Sequence, residues 1–122
     1  GFIDKSGKIV IESKFDSGGH FSEGLAGVKL NGKYGFIDKN GEFAIEPKFD
    51  YVWSFWEGLA GVKLNGKWGF IDKNGEFAIK PNFDDAWYFR EGLAKVGLNG
   101  KYGLIDKSGK IVIEPIFDDI DY

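Results

Sequence analysis

The sequence predicts an all-β fold: tandem three-stranded antiparallel meanders, joined by short helical turns, in an open solenoid-like array. Three observations carry that expectation. The stretch Asn65-Gly66-Lys67-Trp68-Gly69-Phe70-Ile71-Asp72 recurs from Asn31 to Asp38 and from Asn99 to Asp106, and Gly1-Phe2-Ile3-Asp4 repeats its tail. Gly1, Gly35, Gly69 and Gly103 therefore mark a period of 34 residues, which falls in the range of repeat architectures. Each period also contains Asn-Gly, the strongest short signal for a two-residue hairpin. Composition agrees: 19 Gly and 17% aromatic residues suit many turns and thin units that bury large rings. A closed, propeller-like ring is the alternative. It ranks second because propeller blades usually have four strands in more than about 40 residues.

One repeat array fills 1–122, as units 1–34, 35–68 and 69–102 and a partial unit 103–122. Units two and three are identical at 25 of 34 positions, so contacts made in one are expected in the next. A unit of this size cannot bury a core alone, and its stability must come from its neighbours. The chain opens in mid-unit and contains no Met, so it reads as a piece of a longer array and says nothing about a targeting segment. The apolar Gly1–Lys5 strand would stand as an open edge, which natural proteins seldom leave. A longer array or an end-to-end filament is therefore expected.

Within a unit, turn chemistry places the strands. A two-residue turn at Asn31-Gly32 pairs Leu30 with Lys33, Val28 with Gly35 and Ala26 with Ile37. Asp38-Lys39-Asn40-Gly41-Glu42 fits a three-residue loop with Gly41 in the left-handed bulge position. That loop pairs Ile37 with Phe43 and Gly35 with Ile45. Strand alternation then puts Ala26, Val28, Leu30, Ile37, Phe43 and Ile45 on a core face around Gly35. Tyr34, Phe36, Gly27 and Ala44 share the other face with charges, and that face is expected to pack against a neighbour over part of its area. A central-strand glycine marks a close approach, here assigned to a ring from the connector Phe49–Gly58. Pro47 is expected to end the preceding strand. Asp50 would cap a short helical turn, which Gly58 would close.

These residues resemble the WG-repeat family, also called KWG repeats. The resemblance rests on Lys67-Trp68-Gly69-Phe70-Ile71-Asp72, Gly75, Pro81, Phe83-Asp84-Asp85, Phe89 and Glu91-Gly92-Leu93-Ala94 in order, and it covers essentially the whole chain. It implies tandem arrays, mainly bacterial, often attached to other domains, with no established common activity. The chain departs from the pattern with Tyr34 and Tyr102 in place of Trp, with Ser13 where later units have proline, and in its first connector, Ser17-Gly18-Gly19-His20.

Composition and motifs argue against several chemistries. The formal net charge of −3 is the wrong sign for a nucleic-acid surface. No Cys is present, which removes disulfides and thiolate metal sites, and no apolar run approaches a membrane span. A single histidine, His20, sits in the irregular first connector and lacks the partners a nucleophile–base pair needs. Asp-Lys-Asn-Gly has its glycine too early for an EF-hand loop, and a hairpin turn explains it. Asp118, Asp119 and Asp121 form a weak metal candidate beside the simpler role of an exposed acidic stretch. Glu23, Glu57 and Glu91 recur in step, which suits hydrogen bonds to backbone N–H groups around the following glycine better than catalysis.

The aromatic surplus remains. Trp53, Trp56 and Trp87, with Tyr51 and Tyr88, are the candidate binding residues, because exposed rings stack on sugars or on choline-like cations. Packing between units is the competing role, and Trp56 is the ring most expected to be exposed. The function expected is a non-enzymatic scaffold or protein-interaction module. Its partners would be other copies of itself or another protein, with glycan or small-ligand binding as the alternative. No cofactor and no membrane insertion is implied, and the outside of a bacterial cell is the favoured compartment.

Overall fold

The structure, a computed structural model, describes residues 21–119 and, ahead of them, the backbone of three short strands. The expectations attached to Ser13, His20 and Asp121 fall outside the described residues. The architecture is all-β and antiparallel, with no helix among the described residues. Strand β1 (Phe2–Ile3) pairs with β2 (Ile9–Ile11). Three four-stranded sheets follow. The first holds β3 (Ser17–Gly18), β4 (Ala26–Leu30), β5 (Lys33–Ile37) and β6 (Phe43–Phe49). The second holds β7 (Tyr51–Val52), β8 (Ala60–Leu64), β9 (Lys67–Ile71) and β10 (Phe77–Phe83). The third holds β11 (Asp85–Ala86), β12 (Leu93–Leu98), β13 (Lys101–Asp106) and β14 (Ile111–Phe117). Strands neighbour one another in chain order within each sheet, and none of the three sheets closes on itself.

Both turns expected in the central hairpin form. Asn31 and Gly32 have φ of 53° and 83°, as a type I′ turn requires, and the pairs Leu30–Lys33, Val28–Gly35 and Ala26–Ile37 follow. Gly41 has φ 84°. Its loop is held by Asp38, whose Oδ1 accepts the N–H of Asn40 at 2.9 Å and of Glu42 at 3.1 Å.

The connector differs from expectation. It forms a fourth strand instead of a helical turn: Tyr51 and Val52 pair with Lys63 and Val62. Pairing along β8 satisfies connector backbone groups that a lone helical turn would leave open. Gly58 does take positive φ, at 82°, but Glu57 before it also does, at 53°. Trp56 and Leu59 exchange backbone hydrogen bonds of 2.9 and 3.1 Å. Trp56-Glu57-Gly58-Leu59 is thus a second type I′ turn in each repeat.

Pro47 does not end its strand either. Strand β6 runs through it to Phe49, with a register shift between the Tyr34–Phe49 and Phe36–Ile45 pairs. A bulge is where a strand tolerates a residue without an N–H. A second shift, between the Phe36–Ile45 and Ile37–Phe43 pairs, sets Ile45 opposite Phe36, not Gly35, and so moves Ile45 to the Phe36 face. It also identifies the visitor at Gly35. A Cβ there would lie 2.5 Å from the Ile45 carbonyl oxygen and 2.7 Å from the Pro47 nitrogen. The backbone of β6, not a connector ring, excludes a side chain. Gly69 stands in the same relation to Ile79 and Pro81.

Core lies on both faces of the first and second sheets, and the face around Phe36 packs on the next unit over part of its area, as expected. Leu25, Phe36, Ile45 and Phe49 of the first sheet bury against Val52, Phe55, Ala60, Val62 and Ile71 of the second. One period on, Leu59, Phe70, Ile79 and Phe83 meet Ala86, Phe89, Ala94, Val96 and Ile105. Ring pairs repeat with the rest: Phe36–Phe55 and Phe70–Phe89 have centroids 4.7 and 4.8 Å apart, edge to face. Phe36 is wholly buried because the connector delivers Phe55 onto it.

Candidate functional site

The five candidate aromatic residues fall into three places. Tyr51 and Trp53 lie on one side of the second connector, two residues apart, with centroids 5.5 Å apart. Trp53 stacks on Trp68 at 5.9 Å and an interplanar angle of 18°, and Tyr51 meets Trp68 edge on. The Trp53 indole N–H donates to the Ala86 carbonyl at 2.9 Å, across the interface to the third sheet. Its ring lies over Gly61, where a Cβ would approach Trp53 Cδ1 to 2.9 Å. In the first sheet the position equivalent to Gly61 is Gly27, and there Val52 of the second sheet fills the space. Large ring with small Ala86, and larger Val52 where no ring arrives, are two fillings of one site.

Trp87 is separate. It meets Tyr102 at 5.7 Å, and the Lys95 ammonium lies over both rings, 4.8 and 5.0 Å from their centroids. Lys95 takes the place of Gly61, so a cation of the chain itself sits where the second unit leaves a glycine. Lys95 also pairs with Asp119 at 2.6 Å. Trp56 and Tyr88 make the third place. They come from successive connectors, have centroids 5.7 Å apart at 43°, and are 47% and 41% exposed.

Two rows of carboxylates run along opposite edges of the stack. At one edge Glu57 reaches forward to the next Glu-Gly turn: its Oε2 accepts the Glu91 N–H at 2.6 Å and its Oε1 the Gly92 N–H at 2.8 Å. Glu23 accepts the Gly58 N–H at 2.9 Å. Lys73 lies 3.5 Å from Glu23, and Lys107 lies 3.4 Å from Glu57. The expected glutamate–backbone bond exists, one repeat later than the adjacent glycine. The Gly92 N–H, then that of Glu91 and the Lys107 ammonium, hold the Glu57 carboxyl below its ordinary value against a partial desolvation cost. At the other edge Asp50 bonds Lys33 at 2.8 Å and faces the Asn65 and Gly66 N–H groups. Asp84 bonds Lys67 and accepts the Asn99 N–H at 2.8 Å. The lysine in each case, followed by backbone donors, holds the aspartate below its ordinary value. Asp118 continues the row with Lys101. Every carboxylate in these rows therefore serves a turn or a lysine of a neighbouring strand. No group of three or more potential metal ligands occurs among the described residues.

The repeated geometry coincides with a repeated sequence model. The model for the WG containing repeat matches residues 1–34, 34–68, 68–102 and 102–122. The chain belongs to this family. No curated protein and no solved structure matches the chain. Within a WG unit the Trp/Tyr-Gly pair now has a physical account: the glycine lets the bulged strand cross, and the ring before it joins the rings of the connector. Sequence reasoning missed the aspartate row and the Lys95 wedge. The signal was present in both cases. Lys33, Lys67 and Lys101 precede Asp50, Asp84 and Asp118 by the same interval, and the third unit exchanges Gly61 and Lys63 for Lys95 and Gly97.

Proposed function

We propose that this WG array is a non-enzymatic scaffold and protein-interaction module, an open solenoid-like stack that works through its surfaces. One observation carries this reading. The titratable groups with lowered values, Asp50, Glu57, Asp84 and Asp106, are all engaged by turn N–H groups, lysines or their own loop. Their perturbation is explained by holding turns in place, which leaves none of the four shifts to be assigned to a catalytic acid or base. Four-stranded sheets remove the strand-count objection to a closed ring; the short repeat still favours the open stack. The partner class is protein, and the compartment favoured is the bacterial cell exterior. The test is a comparison of surface variants. Charge reversals at exposed side chains that hold no turn, such as Glu42 and Lys80, should abolish binding of the partner without altering melting, whereas hydrolytic or transfer activity in the purified chain would overturn the reading.

The Trp56–Tyr88 pair favours a second reading, recognition of a glycan. Two exposed rings held side by side offer a stacking platform for the apolar face of a pyranose. Titration with oligosaccharides, read by tryptophan fluorescence and repeated on Trp56→Ser, decides it: quenching in both proteins, or in neither, excludes this platform.

A further inference from the structure

The third unit holds an ammonium of its own in an aromatic corner, and the second unit repeats the corner without that lysine. Trp87 and Tyr102 meet at 75° with centroids 5.7 Å apart, and the Lys95 ammonium lies 4.8 and 5.0 Å from the two rings. Asp119 pairs with that ammonium at 2.6 Å. One period earlier Gly61 stands in place of Lys95, and Trp53 lies over it. Tyr51 and Trp53 there meet at 89° with centroids 5.5 Å apart, a corner of similar opening, and they are 41% and 36% exposed. Two further rings back it: Trp53 stacks on Trp68, and Tyr51 meets Tyr34 edge on at 5.1 Å. The indole N–H bond to Ala86 fixes Trp53 as well. The corner is therefore set before any ligand arrives, which removes part of the ordering cost of binding.

The charges around it follow the same period. In the first unit Lys29 lies over Tyr34, 5.8 Å from its centroid. Among the described residues no ammonium or guanidinium lies over Tyr51, Trp53 or Trp68, although Lys63 pairs across the sheet with Tyr51 and with Trp68. The carboxylate recurs too. Asp85 is the counterpart of Asp119, and it directly precedes the Ala86 whose carbonyl Trp53 binds. It is exposed and has no hydrogen-bond or ion-pair partner among the described residues.

We propose that Tyr51, Trp53 and Asp85 bind an N-methylated ammonium group. The inference is independent of the scaffold reading and of the glycan platform at Trp56 and Tyr88. Ring faces attract a positive charge, and the carboxylate adds to that attraction. Lys95 is tethered to its corner, so the chain itself offsets the loss of water from its ammonium. A free primary ammonium is strongly hydrated and would give up that shell for one carboxylate contact. A methylated ammonium has little hydration to lose and presents apolar methyl groups to both rings.

The probe is choline, titrated into the whole protein and followed by two-dimensional NMR at the four tryptophan indole N–H signals. The Trp53 signal should move and saturate in the millimolar range, as one cation–π corner allows. The Trp87 signal should stay still, because Lys95 already occupies its corner. The uncharged tert-butyl analogue of choline should bind about fivefold more weakly or worse, since it keeps the methyl groups and loses the charge. Tyr51→Leu and Asp85→Asn should each weaken choline several-fold, and Tyr51→Phe, which keeps the ring, should not. Tyr51 and Asp85 are exposed, so melting of these variants should match the parent. No saturable shift at Trp53, equal shifts at Trp53 and Trp87, equal affinity for the uncharged analogue, or binding that survives both Tyr51→Leu and Asp85→Asn overturns the inference. Phosphatidylcholine vesicles then distinguish the source. Co-sedimentation that Tyr51→Leu abolishes assigns a lipid headgroup, and choline binding without co-sedimentation assigns a free methylated amine; both uphold the site.

Discussion

Glu57 Oε1 accepts the Gly92 N–H at 2.8 Å, so a side chain of one repeat satisfies a backbone donor of the next. The turn that receives it holds Glu91 at φ 53° and Gly92 at 80°. A non-glycine residue in that left-handed region is disfavoured by roughly 1–2 kcal/mol. The bond from the preceding repeat adds to the Arg90–Leu93 backbone bonds that close the turn. The same arrangement links Glu23 to Gly58.

Glu57→Gln should therefore lower the thermal midpoint, because an amide accepts these bonds more weakly than a carboxylate. Glu91→Gln should not, since its carboxylate serves no turn among the described residues. Differential scanning calorimetry of the pair checks this. Equal midpoints for the two variants would show that the forward bond contributes nothing to stability.

Stability should fall in acid. Asp50, Glu57, Asp84 and Asp106 all have folded values below their ordinary ones. The unfolded chain then binds more protons than the folded one in that range, so stability rises with pH. Their contribution is full above the ordinary carboxylate range, roughly pH 4–5, and is lost as pH drops through the depressed folded values. These groups are half-buried at the surface and open to counterions, so added salt should flatten the dependence. Urea midpoints measured across acid pH at low and high salt test both statements.

Gly69→Val should be destabilised by about 1–3 kcal/mol or more through overpacking. A Cβ at that position would stand 2.5 Å from the Ile79 carbonyl oxygen, and backbone cannot step aside as a side-chain tip can. Denaturant unfolding of the variant gives the number, and a curve superimposable on the parent would sink the close-approach account.

Trp56 and Trp53 should separate cleanly. Trp56→Ser is expected to change stability by no more than about 0.5 kcal/mol, as exposed positions do. Trp53→Phe should cost roughly 1 kcal/mol for the lost bond to the Ala86 carbonyl alone. Paired unfolding curves read this directly; a loss of several kcal/mol at Trp56 would place that ring in the core.

Local chemistry made the central hairpin legible. Asn31-Gly32 and Asp38–Glu42 determine their own turns, so the pairing of β4 with β5 follows from adjacent residues. The connector was harder because its conformation is decided elsewhere. Asp50 has the chemistry of a helix cap, but Lys33 and the Asn65-Gly66 turn lie within its reach in the folded chain. Glu57 has low intrinsic preference for positive φ, and Trp-Glu-Gly-Leu lacks the Asn-Gly pair that announces a type I′ turn. Pro47 shows the same limit from the other side: it marks a bulge instead of a strand end because Gly35 leaves room for the strand to cross. At the candidate site, exposure of Trp56 could be anticipated from Ser22 and Arg90 at equivalent positions. The separation of Trp53 from Trp56 could not, since it depends on Ala86 lying one repeat further along.

The forward reach of the glutamates also has a direction in time. Two Glu-Gly turns are held by a carboxylate that lies earlier in the chain, Glu23 for Gly58 and Glu57 for Gly92. The Asn99 turn is likewise held by the earlier Asp84. During synthesis from the N-terminus, every such turn therefore emerges to find its acceptor already made. Consolidation of the array can follow the ribosome one repeat behind, with each finished sheet serving as the template on which the next is laid.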